Sequence, residues 1–79
     1  MPSPATSPTA ALTAANLDRA IRDAGLTNRQ VAERIGATEH QVWRWRRGRT
    51  VPSQTRALAL ANELFDGDLS ALYSKGATA

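Results

Sequence analysis

Two copies of one short pattern constrain this chain more than anything else in it. Thr27-Asn28-Arg29-Gln30 and Thr38-Glu39-His40-Gln41 both read T-x-x-Q, stand eleven residues apart, and are each followed by a β-branched apolar residue, Val31 or Val42. At this spacing the threonine hydroxyl accepts from the backbone N–H three residues on, and the glutamine reaches back to the threonine N–H, so each copy marks a helix start. Gly36 and Ala37 are all that separate the first helix from the second start. The first helix therefore spans only about residues 28–35, and a glycine relieves the steric cost of a positive φ in the turn. Two short helices joined this tightly must cross steeply.

The rest of the chain supplies helices around this pair. Thr13 is expected to be the N-cap of a helix over about residues 14–24, with Leu12 and Leu17 forming a hydrophobic staple across it. Leu17, Ala20, Ile21 and Ala24 keep helical spacing, and Gly25 ends the run. The second T-x-x-Q box opens a helix over about residues 39–47 that stops at Gly48, and Val51-Pro52 forces an extended segment before a cap at Ser53. A fourth helix over about 54–65 carries the apolar stripe Ala57, Leu58, Ala61, Leu64 and Phe65, closed by Asp66-Gly67-Asp68. A last turn over 69–73 adds Leu69, Leu72 and Tyr73. No run alternates with period two long enough for a strand, so the expected fold is all-α, a compact five-helix domain over residues 12–74. Residues 1–11 are poor in bulky apolar groups and are expected to form a disordered tail, as are residues 75–79.

Composition narrows the function. The chain of 79 residues has no cysteine and one histidine, His40, which removes disulfides and any metal site built on these ligands and fits a reducing cytoplasm. The first eleven residues lack both a basic start and an apolar run, so neither a signal peptide nor a membrane span is expected. No cofactor or small-molecule ligand is expected, and without paired carboxylates in a pocket an enzyme is disfavoured. The net charge of +3 is modest but unevenly spread. Residues 40–62 hold no acid and five arginines, Arg44, Arg46, Arg47, Arg49 and Arg56.

Residues 25–53, GLTNRQVAERIGATEHQVWRWRRGRTVPS, resemble the Xre/Cro family of helix-turn-helix repressors, and the likeness extends from helix 1 to Leu72. It rests on the G-L-T opening, small Ala32 where the helices touch, Ile35 and Gly36 at the turn, Val42 as an anchor, W-x-x-G from Trp45 to Gly48, Pro52-Ser53, and the closing D-L-S-A-L. The resemblance implies a lambda-repressor-like fold in which Ala32, Ile35, Gly36, Val42 and Trp45 form the structural centre of the motif. It also implies a cytoplasmic, DNA-bound protein of a bacterial host cell. Two departures stand out. The family usually carries Glu directly after the Trp, paired with an Arg late in helix 1. This chain has Arg46 and Ile21 at those positions, so that ion pair is expected to be absent. The family also favours Gln at the first position of the second helix, where it clamps the DNA backbone, and this chain has Asn28, with Arg29 beside it.

On a wheel with Glu39 at about 0°, Trp43 falls near 40°, Arg47 near 80°, His40 near 100° and Arg44 near 140°, opposite Val42 near 300° and Trp45 near 240°. Family docking would place the N-terminal half of this helix in the major groove, which makes Glu39, His40, Trp43 and Arg44 the base-edge candidates. Asn28, Arg29, Arg46, Arg47, Arg49 and Thr50 are the candidates for the DNA backbone. Arg46 has a second option, a salt bridge to an acid such as Asp23. Trp43 is open between DNA, a protein interface and packing over a neighbouring turn. The implied function is a sequence-specific regulator of repressor or Cro type on a double-stranded operator. Any homodimer would form through helices 4 and 5, with Phe65 or Tyr73, and read half-sites about 34 Å apart. Two alternatives stand beside it: an excisionase-like architectural DNA-binding protein, and an antirepressor or antitoxin module anchored on a partner by Trp43.

Overall fold

The computed structural model describes residues 8–73. Within them the chain forms five helices and no strand: α1 (Pro8–Ala24), α2 (Asn28–Ile35), α3 (Glu39–Arg46), α4 (Gln54–Leu64) and α5 (Leu69–Tyr73). None is long and apolar enough to cross a membrane. The tails expected at 1–11 and 75–79 lie outside the described residues, apart from residues 8–11, which are helical.

Both T-x-x-Q boxes form as expected. Gln30 N–H donates to the Thr27 hydroxyl at 3.1 Å while Thr27 N–H donates to Gln30 Oε1 at 2.8 Å. At the second box the corresponding distances are 3.1 and 2.9 Å. Gly36 ends α2 at φ 74°, in the left-handed region, and the side chain of Arg56 on α4 donates to the Ile35 carbonyl at 3.3 Å. A helix C-terminus leaves carbonyls unpaired, and a cation there also suits the helix dipole.

The start of α1 differs from expectation. Thr13 does not cap it: the helix begins at Pro8, and Thr13 lies well inside and is almost fully buried. Proline is tolerated in the first turn, where its missing N–H would have no helical partner. The Ala-rich stretch that follows has high helix propensity, and Ala10 and Ala14 are buried. Thr13 Oγ1 has no hydrogen-bond partner among the described residues.

Leu17 and Ile21 of α1, Val31 of α2, Val42 of α3, Leu60 of α4 and Leu72 of α5 are buried together, with Trp45 and Ala57 among them. Each such aliphatic contributes roughly 1.5–3 kcal/mol of transfer free energy. Here too there is a correction. Leu58, expected in the α4 stripe, is 46% exposed, and Leu60 takes the core position with Ala57 and Ala61. The α5 segment is fixed at both ends. The Asp68 carboxylate accepts from the Ser70 hydroxyl at 2.6 Å and from the Ser70 N–H at 3.1 Å, and the first of these bonds chiefly holds its pKa below the ordinary carboxylate value. At the other end Asn16 of α1 donates to the Leu72 carbonyl at 2.9 Å.

The two leucines of α4 should therefore respond oppositely to truncation. In urea unfolding, Leu60→Ala is expected to cost about 2–5 kcal/mol. Leu58→Ala should stay within about 0.5 kcal/mol. A larger loss for Leu58→Ala than for Leu60→Ala would place α4 in the other rotational setting.

Candidate nucleic-acid interface

The second helix of the tight pair, α3, carries every base-edge candidate, and its two sides are sharply divided. Val42 and Trp45 are buried against α1 and α2, as the wheel requires. Glu39, His40, Trp43 and Arg44 are exposed on the other side, with Arg47 and Arg49 beyond them. The end of the helix is sharp. Gly48, at φ 72°, lets the Gly48 N–H reach the Trp45 carbonyl at 3.1 Å and the Arg49 N–H reach the Arg44 carbonyl at 3.0 Å. This double closure turns the chain back, so Arg49 stays beside α3 instead of trailing away.

Arg46 departs from the set of backbone candidates. Its Nε donates to Asp18 Oδ1 of α1 at 2.8 Å, Nη2 donates to the same oxygen, and Nη1 donates to Asn28 Oδ1 of α2 at 2.7 Å. One guanidinium thus ties three helices together. The other Asp18 oxygen faces Arg22 at 3.2 Å. An ion pair between α1 and the residue after Trp45 is therefore present, with the acid on α1 and the base on α3, the reverse of the family's usual polarity. The expectation of its absence compared Arg46 with Ile21 alone, and Ile21 is fully buried. The partner is Asp18 and not Asp23, for a simple reason of rotation: on α1, Asp18 lies about 60° from the buried Ile21 direction and Asp23 about 160°. That wheel was the available signal.

The pairing changes what the neighbouring candidates present. Arginine has no acceptor, so the Asn28 atom facing it must be the amide oxygen, and the amide NH₂ is directed elsewhere as a donor. Arg29 is drawn toward Glu33 at 3.5 Å, but both are exposed and such a pair is weak. Arg34 pairs with Glu63 of α4 at 3.6 Å. By contrast Arg44, Arg47 and Arg49 have no carboxylate partner among the described residues. Arg44 lies on the α4 side, in a polar depression shared with Gln41, Thr50, Ser53, Thr55 and Arg56. Trp43 lies on the α2 side, where it lines one cleft with Asp18, Asn28, Arg46 and Arg47, and a second with Asn28, Thr38, Glu39 and His40. Sequence reasoning missed Asp18, Asn16 and Arg56, which act between helices distant in the chain.

Two short capped helices crossing at a glycine turn, with the second exposing an arginine-rich face, are the geometry of a helix-turn-helix. A family model described as helix-turn-helix matches residues 19–70, more than half of the chain. The chain belongs to the Xre/Cro-type helix-turn-helix family. Its fold is the all-helical lambda-repressor-like domain, and its general role is that of a DNA-binding helix-turn-helix regulator. No curated protein and no solved structure gave a significant match to the chain.

The Arg46 network offers a direct test of the packing behind this face. Arg46→Ala is expected to lower stability by about 1.5–3 kcal/mol, the worth of hydrogen bonds to a charged group. In a cycle with Asp18→Ala, the double variant should lose clearly less than the sum of the two singles. Additive losses would mean that the contact contributes nothing.

Proposed function

We propose that the chain is a sequence-specific regulator of repressor or Cro type that inserts α3 into the major groove of a double-stranded operator. One observation supports this: Arg44, Arg47 and Arg49 stand on the exposed side of α3 with no carboxylate partner among the described residues, while Arg46 beside them is held by Asp18 and Asn28. Keeping three unpaired cations on one face has no structural benefit, and a polyanion is the partner such a face suits.

In this reading Arg44 binds guanine O6 and N7, Glu39 accepts from cytosine N4, and His40 meets a purine N7. Arg47, Arg49, Thr50, Arg29 and the Asn28 amide hold phosphates and set the register. Arg46 is set apart from that group, because three of its N–H groups are held by Asp18 and Asn28. A dimer contact, where one forms, falls to the α4 and α5 surface, on which Leu58 and Tyr73 are exposed and Phe65 is half-buried.

The test is selection of bound duplexes from a random pool at about 0.15 M salt, followed by affinity measurements on the selected site and a scrambled duplex. Arg44→Ala should lose about 1–3 kcal/mol on the selected site and relax preference at one base pair, whereas Arg49→Ala should weaken both duplexes alike. Equal losses for Arg44→Ala on both duplexes would remove it as a base reader. Affinity that barely changes with salt would refute the phosphate contacts assigned to Arg47 and Arg49, and no affinity for either duplex would refute the operator reading.

A further inference from the structure

Trp43 is a large aromatic, 37% exposed, in the middle of the polar side of α3. Its surroundings are specific. The His40 ring stacks on it, with centroids 5.5 Å apart and planes 15° from parallel. The guanidinium carbons of Arg47 and Arg49 lie over the indole at 5.1 and 5.7 Å from its centroid. Helix spacing explains the first two contacts: His40 is three residues before Trp43 and Arg47 four after, so both lie beside it on the same side of the helix. The third comes from the turn at Gly48, which brings Arg49 back over a ring it would otherwise leave behind.

We propose that Trp43 is a positioning residue: its ring holds Arg47 and Arg49 as a matched pair of phosphate clamps and fixes the plane of His40, and it reads no base itself. The proposal rests on the DNA-binding reading above and deepens it. Chemistry favours this division. An indole with one ring stacked on it and two cations over it has committed its faces within the protein, so little of it is left to press on a thymine methyl. Stacking uses the face of an imidazole and leaves both ring nitrogens at its edge for hydrogen bonds. A guanidinium over an aromatic ring makes no hydrogen bond to it in a cation–π contact with the ring face, and with five N–H donors it has groups to spare for a phosphate. Arginine side chains lose much rotamer freedom when they bind phosphate, and a platform that restricts them beforehand reduces that loss.

The test uses the full chain with Trp43→Leu, Trp43→Phe and the pair Arg47→Ala/Arg49→Ala, titrated against the selected duplex and a scrambled duplex. Trp43→Leu is expected to weaken both duplexes about five- to thirtyfold, the equivalent of two exposed cation–π contacts, with a smaller further loss on the selected duplex from the released His40 ring. Trp43→Phe should retain most of the affinity, and Trp43→Leu should add little in the double-arginine background. An independent readout needs no DNA. In proton NMR of the free protein, the His40 ring and the Arg47 and Arg49 side-chain resonances should be displaced by the indole ring current and relax in Trp43→Leu. Should Trp43→Leu fail to fold, Trp43→Phe and the wild-type displacements decide. A loss confined to the selected duplex would make Trp43 a base reader and overturn the proposal, as would undisplaced resonances or an additive double-arginine cycle. A wild-type chain that binds neither duplex would instead overturn the DNA reading, and this role with it.

Discussion

The guanidinium of Arg46 is the contact on which the geometry of the binding face depends. It leaves the end of α3, meets the Asp18 carboxylate on α1, and bonds the Asn28 amide at the first turn of α2. Three helices that share only apolar packing can slide and rotate against one another at small cost. A charge-assisted, partly buried hydrogen-bonded set defines one arrangement among those that packing allows. The consequence reaches the surface. With Arg46 pinned inward, α3 is held at a fixed rotation, and that rotation is what puts Arg44 on one flank and Trp43 with Arg47 on the other.

The same contact decides how the cationic stretch divides. Read as a string, residues 43–49 look uniformly basic and aromatic, yet each side chain has its own surroundings. Trp45 is buried in the core, Arg46 joins three helices, and Arg47 and Arg49 gather on Trp43. Arg44 faces the depression before α4. A helix of only eight residues achieves this because its start is fixed by the Thr38 box and its end by the Gly48 turn. With neither end free to fray, the positions of the exposed side chains are set by the backbone.

What could be read from the amino-acid string follows the range of the forces involved. The α2 and α3 starts were legible because a capping box is a contact between residues three apart, and the crossing was legible because a two-residue link leaves no other choice. The burial of Val42 and Trp45 followed from periodicity. The start of α1 was misread because Thr13 has the chemistry of a cap, and only the docking of the Ala-rich turn before it shows that the helix continues. One position of the α4 stripe was misread, Leu58 for Leu60, because Ala57-Leu58-Ala59-Leu60-Ala61 alternates and either leucine fits beside Ala57 and Ala61 until the neighbours choose. A salt bridge was one of two expected options for Arg46, but its partner, Asp18 and not Asp23, was missed because it lies 28 residues away and reverses the family's polarity. Local chemistry was visible, and choices made by tertiary contact were not.

We propose that one prearranged side of α3, flanked by the first turns of α2 and α4, is the surface that meets nucleic acid. Backbone amide shifts of the isotope-labelled chain, followed while its selected duplex is added, address it most directly. The account expects the largest changes from Thr38 to Thr50, with smaller ones at the first turns of α2 and α4, and changes at Leu58 and Tyr73 only where two copies meet on the duplex. Changes centred on α4 and α5, with α3 undisturbed, would contradict it.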